Sequence, residues 1–151
     1  MQRDNWGKWA MIIALIVIVV AGVYMVSSVN NRRVSMSLGG QVVYARVAST
    51  DSTRQKGLSG TKQLTDAQAM LFIFDTPGRW GMWMKDMNYS LDMLWLDDDK
   101  RIISMEQNVA PSTYPEAFLP DKAARYVVEL PAGFVQRHRV EQGQVVGFSA
   151  P

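Results

Sequence analysis

Residues 91–96, Leu91-Asp92-Met93-Leu94-Trp95-Leu96 (LDMLWL), decide the fold class. Their period of two sends Leu91, Met93 and Trp95 to one side of an extended chain and Asp92, Leu94 and Leu96 to the other. Turn residues bound the run on both sides: Asp86-Met87-Asn88 before it and Asp98-Asp99-Lys100 after it. Segments 81–85 and 101–107 therefore read as strands at hairpin spacing on either side. Further out, Met70-Leu71-Phe72-Ile73-Phe74 is a short apolar run, most simply a buried strand, stopped by Asp75-Thr76-Pro77-Gly78. Segments 34–38 and 41–47 flank Gly39-Gly40, a turn that tolerates positive φ, and form a hairpin. Ser49 or Thr50 caps a short helix through Lys56, with Gly57 as its stop. Residues 108–122 carry Pro111, Pro115 and Pro120 and form a long loop, a length typical of binding loops and lids. Beyond it the pattern predicts a strand over 125–130, a short helix over 134–141 and a last strand over 144–148. The expected fold is mainly β, a sandwich or partly closed barrel of about seven to eight strands with two short helices.

The N-terminal end has a different character. Residues 10–26 (AMIIALIVIVVAGVYMV) contain no charge. A helix continued to residue 29 would span ~30 Å at ~1.5 Å per residue, the hydrocarbon thickness of a bilayer. A signal-peptide apolar region is usually shorter, and Trp6, Trp9 and Tyr24 sit where amphipathic rings favour the headgroup zone. The expected organisation is a tail over 1–9, a transmembrane anchor over 10–29, a linker over 30–33 and a β domain over 34–151. Flanking charge is close to balanced, Arg3 and Lys8 against Arg32, Arg33 and Arg46. Short-tailed N-terminal anchors favour a cytoplasmic N-terminus with the domain outside, a single-pass protein of the cell membrane.

Charge and composition remove several function classes. The chain holds 16 Lys and Arg against 14 Asp and Glu, but Arg3, Lys8, Arg32 and Arg33 flank the apolar run. From Val34 onward there are 12 Lys and Arg and 13 Asp and Glu, a net −1. That balance gives no basic footprint for a nucleic-acid backbone. The absence of cysteine removes disulfides, thiolate metal sites and a thiol nucleophile. His138 is the only histidine and cannot alone build a zinc site or a histidine-based triad; it reads as a surface residue. Met82, Met84, Met87 and Met93 crowd one hairpin, and thioether clusters can hold Cu(I), but the alternation of Met82 and Met84 is that of a core face. No metal and no cofactor are expected. Asp97-Asp98-Asp99 lacks the glycine and distant glutamate of a calcium loop and reads as a solvated turn.

The informative polar residues are those among apolar strand neighbours. Asp92 shares a face with Leu94 and Leu96, and Glu129 follows Val127-Val128 and precedes Leu130. A buried unpaired charge costs several kcal/mol, so each must be paired, protonated or fed by backbone N–H groups. Lys85 is the nearest partner for Asp92 by sequence. The expected site is Lys85, Asp92 and Glu129 close together with Trp83, under the long loop that carries Tyr114 and Phe118.

Across residues 41–148 the chain resembles the bacterial and archaeal domain-of-unknown-function family 192. The resemblance rests on an ordered set: Gly57-Leu58, Met70-Leu71-Phe72 with Phe74, Trp83-Met84-Lys85, Leu91-Asp92, Pro111, Glu129-Leu130 with Ala132-Gly133, and Gly143. It implies a compact, mostly β domain, often exported behind a signal peptide or anchor, and no established reaction. The chain departs from the usual pattern at Ser59-Gly60, Asp86-Met87, Ser90 and Gln144, which bears on whether a family site is retained. The leading expectation is a membrane-anchored binding module for a small ligand, an envelope polymer or a protein partner. Two other readings stand beside it: a small hydrolase using Asp92, Glu129 and Lys85, and a structural subunit of a membrane complex.

Overall fold

The computed structural model describes residues 5–29 and 33–149. Two compact units divide the chain, Met1–Arg32 and Arg33–Pro151. The first contains helix α1 (Asn5–Val29), so residues 5–9 of the expected tail are helical, whereas 1–4 and the 30–32 part of the linker lie outside the described residues. The described side chains of α1, residues 6–22, are all exposed. Among the described residues no helix is long and apolar enough to cross a membrane.

The second unit is mainly β. Its main sheet has six strands in the order β1-β2-β3-β8-β5-β6: β1 (Arg33–Leu38), β2 (Gln41–Ala48), β3 (Gln68–Gly78), β8 (Ala124–Pro131), β5 (Leu91–Leu96) and β6 (Ile102–Val109). All neighbours are antiparallel except β2 and β3, which run parallel. Two short strands, β4 (Met82–Trp83) and β7 (Ala117–Phe118), form a separate ribbon. The domain is mainly β, as expected, and among the described residues its strands form one six-stranded sheet and a two-stranded ribbon with no closed barrel. The chain's last stretch bridges rather than pairs: Gly147 and Ser37 exchange backbone hydrogen bonds, while Gly143 and Gln144 bond to Ile102. One segment thus meets β1 and β6, the two edge strands, through isolated bridges in place of the expected strand over 144–148.

Local rules explain most elements. Gly39 and Gly40 take φ of +57° and +73° and turn β1 into β2. Thr50 caps α2 (Asp51–Lys56) in a reciprocal box with Thr53, and Gly57 stops it at φ +47°. β3 tolerates Pro77 because its register with β8 breaks after Ile73. α3 (Phe134–Arg137) is four residues long, half the expected helix.

The sheet packs on both faces. One face carries Met36, Val43, Leu71, Leu94, Leu96, Val128 and Leu130 against Phe134, Val135 and Phe148. The other carries Phe72, Phe74, Leu91, Met93, Trp95 and Val127 against Leu58, Met82, Met84 and Tyr89. Met82, Met84 and Met93 are therefore core residues, as their alternation required.

Candidate functional site

Asp92 and Glu129 are the two buried charged residues among those described. Register places them on opposite faces. Asp92 is opposite Leu130 and shares the face of Leu94 and Leu96; Glu129 is opposite Met70 on one side and Met93 on the other, which puts it on the face of Val127. The expected single cluster of Lys85, Asp92 and Glu129 does not form, because residues one register step apart on paired strands face apart.

Asp92 is fully engaged. Its Oδ1 accepts from the backbone N–H groups of Asn108 (2.8 Å) and Gly133 (3.1 Å), and its Oδ2 from that of Val135 (2.9 Å). Three backbone donors on one carboxylate tie β5 to the end of β6 and to the first turn of α3. Asp92 is a fold-holding residue, and it does not line the cleft that Glu129 lines.

Glu129 is the opposite case. It is 4% exposed, and its Oε2 has no hydrogen-bond partner among the described residues. Burial pushes its carboxyl up to about 8, with the Arg46 charge opposing too weakly to restore an ordinary value. Arg46 is two strands away in the same row, through Met70. Tyr89 is raised as well, chiefly by burial, with its hydrogen bond to Thr61 (2.8 Å) working the other way and the Glu129 charge adding to the rise. A carboxyl raised this far by burial favours its protonated form at neutral pH, and in that form Glu129 donates one hydrogen bond.

Its carboxyl lines a cleft of about 270 Å³ between α2, the turn after it and the β4 segment. The wall is apolar: Leu58, Phe72, Phe74, Trp80, Met82 and Trp83. Trp80 stacks on Phe74 at 4.3 Å, and the Arg54 guanidinium lies 5.4 Å from the Phe74 ring centroid. The buried Trp95 fixes Trp80 by donating from Nε1 to its carbonyl (2.8 Å). Arg54, Lys56 and Lys85 also line the cleft. Arg54 is committed to the Ser49 and Ile73 carbonyls and to Asp51 (2.6 Å). The Lys85 turn is held to the turn after α2, where Ser59 donates to the Lys85 carbonyl and Gly60 to that of Asp86. Ser59-Gly60, at which the chain departs from the usual family pattern, thus shapes one rim of the cleft.

Of the six expected site residues, Lys85, Trp83 and Glu129 line this cleft, and Asp92, Tyr114 and Phe118 do not. β4 pairs with β7, not with β5 across the 86–88 turn, which corrects the expected Lys85–Asp92 neighbourhood. Phe118 supports the cleft from behind, opposite Met82 in the ribbon and packed on the same core face as Glu129. Tyr114 is half-exposed on the loop. Sequence reasoning missed Arg54, Lys56 and Leu58, although Gly57-Leu58 stood in the motif set. His138 is half-buried, set on Phe134 and 3.5 Å from Asp66, so the simple surface assignment is also corrected. Among the described residues no group of three or more His, Cys, Asp or Glu side chains could hold a metal ion.

The family described as Uncharacterized ACR, domain of unknown function 192, matches residues 34–148. The chain belongs to this family. It is 26% identical over 104 residues to UPF0127 protein TK1120 of Thermococcus kodakarensis, a match covering 69% of the chain and 64% of that relative's length. A crystal structure from Sinorhizobium meliloti, of a protein described as a candidate transcription regulator, is similar with a TM-score of 0.74 at 27% identity, covering 79% of this chain and 95% of that one. A protein of unknown function from Novosphingobium aromaticivorans shares the fold with a TM-score of 0.69 at 24% identity, over 76% and 83% of the two chains.

Proposed function

We propose that this family member is a binding module for a small, apolar-bodied ligand, held at a membrane by its N-terminal helix with the β domain on the extracytoplasmic side. The observation that carries the binding reading is the buried, unpartnered Glu129 Oε2 in an apolar cleft. A polar atom left unsatisfied in a folded core costs about 1–3 kcal/mol, and an arriving ligand group can recover that cost. The cleft, about 270 Å³, lies just below the usual range of roughly 300–1,000 Å³ for ligand pockets, so it suits a small molecule better than an extended polymer. The hydrolase reading loses support because Asp92 is used up on the opposite face. DNA regulation by charge attraction gains none from a domain with net −1. The anchor rests on the sequence alone, the seventeen uncharged residues 10–26, and stands against the finding that no helix among the described residues is long and apolar enough to cross a membrane.

The unit Arg33–Pro151 holds every strand and both core clusters, so it can be tested as an isolated domain. A fragment screen by NMR on it should yield hits that shift the indole N–H signals of Trp80 and Trp83. A screen without hits at these two indoles refutes the binding reading. For the anchor, the full chain expressed in a bacterial host should resist carbonate extraction, and protease added to spheroplasts should digest the domain. Extraction into the soluble fraction refutes the anchor, and protection of the domain reverses the orientation.

A further inference from the structure

We propose that the cleft selects a small anion with an apolar body and a hydroxyl or carbonyl oxygen at its inner end, an inference that rests on the binding reading above. The cleft changes in polarity from its exposed rim to its buried end. Lys56 and Lys85 both line the cleft, both are exposed, and neither makes an ion pair among the described residues. Arg54 adds positive charge but is tied to Asp51, which neutralises it. The unspent charge of the rim is thus two ammonium groups, each with three donors and no acceptor. Behind them the wall offers Leu58, Phe72, Met82 and the half-exposed Trp83, with no charge. At the floor stands Glu129, with an unpartnered oxygen.

Each zone rejects a different competitor. A cation meets the lysines at the entrance and is repelled. A neutral apolar molecule fills the wall and leaves both ends unpaired. An anion without an inner oxygen satisfies the rim and leaves Glu129 as it is in the empty cleft. A molecule with both groups completes the site, the neutral carboxyl of Glu129 bonding to the inner oxygen. The groups that act on Glu129 from neighbouring elements are Arg46 on β2 and Tyr89 ahead of β5, and Arg46 is positive. Neither supplies a negative charge that would favour an ammonium inside.

Four probes of one size separate these contributions on the isolated domain at pH 7: 4-hydroxyphenylacetate, phenylacetate, tyrosol and tyramine. Titrations followed at the Trp80 and Trp83 indoles should rank 4-hydroxyphenylacetate first, with phenylacetate and tyrosol each weaker by about tenfold, the worth of one hydrogen bond or one partly exposed ion pair. Tyramine should be the weakest. Glu129→Leu should abolish the preference for 4-hydroxyphenylacetate over phenylacetate. The exposed double variant Lys56→Gln/Lys85→Gln should abolish the preference for 4-hydroxyphenylacetate over tyrosol, and it stands as the test if the leucine variant does not fold. Tyramine binding best, or all four binding alike, overturns the proposal. Hits in the fragment screen with no response to any of the four also overturn it while leaving the binding reading intact. An empty screen overturns both.

Discussion

Glu129 makes a direct prediction about how stability varies with pH. Its folded-state value near 8 against 4.5 in the unfolded chain means that, between those values, the native state holds a proton that the unfolded state has released. Stability therefore falls as pH rises through this window, because the unfolded state binds fewer protons. Below pH 4.5 the penalty vanishes, and above pH 8 it stops growing. Integrating one site between pH 5 and 7.5 gives a loss of about 3 kcal/mol. Other groups titrate over the same range, so the informative quantity is the difference between wild type and Glu129→Gln. Urea denaturation of the domain Arg33–Pro151 should show the variant slightly less stable, or equal, at pH 5 and more stable by roughly 2–3 kcal/mol at pH 7.5. The relative shift between the two pH values is the measurement. Parallel curves for the two proteins would refute the reasoning, since they would mean that Glu129 titrates alike folded and unfolded.

Asp92→Asn should destabilise the domain by about 2–3 kcal/mol, because the amide presents donors to N–H groups that now meet a carboxylate; equilibrium unfolding checks this, and ligand titrations at the Trp83 indole should be unaffected. Trp95→Phe should cost about 1–2 kcal/mol by leaving the Trp80 carbonyl without its donor, and it should broaden the Trp80 indole signal. Asp66 is held below the usual carboxylate value chiefly by its hydrogen bonds to Arg137, with His138 assisting against desolvation. Its contribution is present above pH 3.8 and lost as pH falls below it. The pair is half-exposed, so Arg137→Ala should cost less than about 1 kcal/mol at pH 7, and still less in high salt, in the same unfolding assay.

What could be read in advance follows the range of the interactions involved. The hairpin through Gly39-Gly40, the Thr50 cap and the two-sided alternation of 91–96 are set by neighbours within a few residues, and all are present in the structure. The face of Asp92 was legible for the same reason. Whether Glu129 shares that face was not: residues 91–96 and 127–130 are buried on both sides, so alternation gives no sign, and only the register Met93–Glu129 settles it. Nor could local pattern show that Met82 pairs with Phe118 instead of turning back onto β5, or that β2 and β3 run parallel. Those pairings depend on closure of long loops, to which turn chemistry is silent. Three of the six expected residues, Lys85, Trp83 and Glu129, line one cleft, and the wall made by α2 with Leu58 was read only as a helix and its stop.

The bridging role of residues 143–147 bears on how the molecule avoids sticking to copies of itself. A sheet presents unpaired N–H and C=O groups along its outer strands, and these recruit other chains unless something blocks them. Here one short stretch, residues 143–147, touches both outer strands, so a single local event guards both margins. Replacing residues 143–147 by a flexible Gly/Ser stretch would uncover two adhesive borders at once, and the variant should self-associate as filaments or aggregates well before its core has melted.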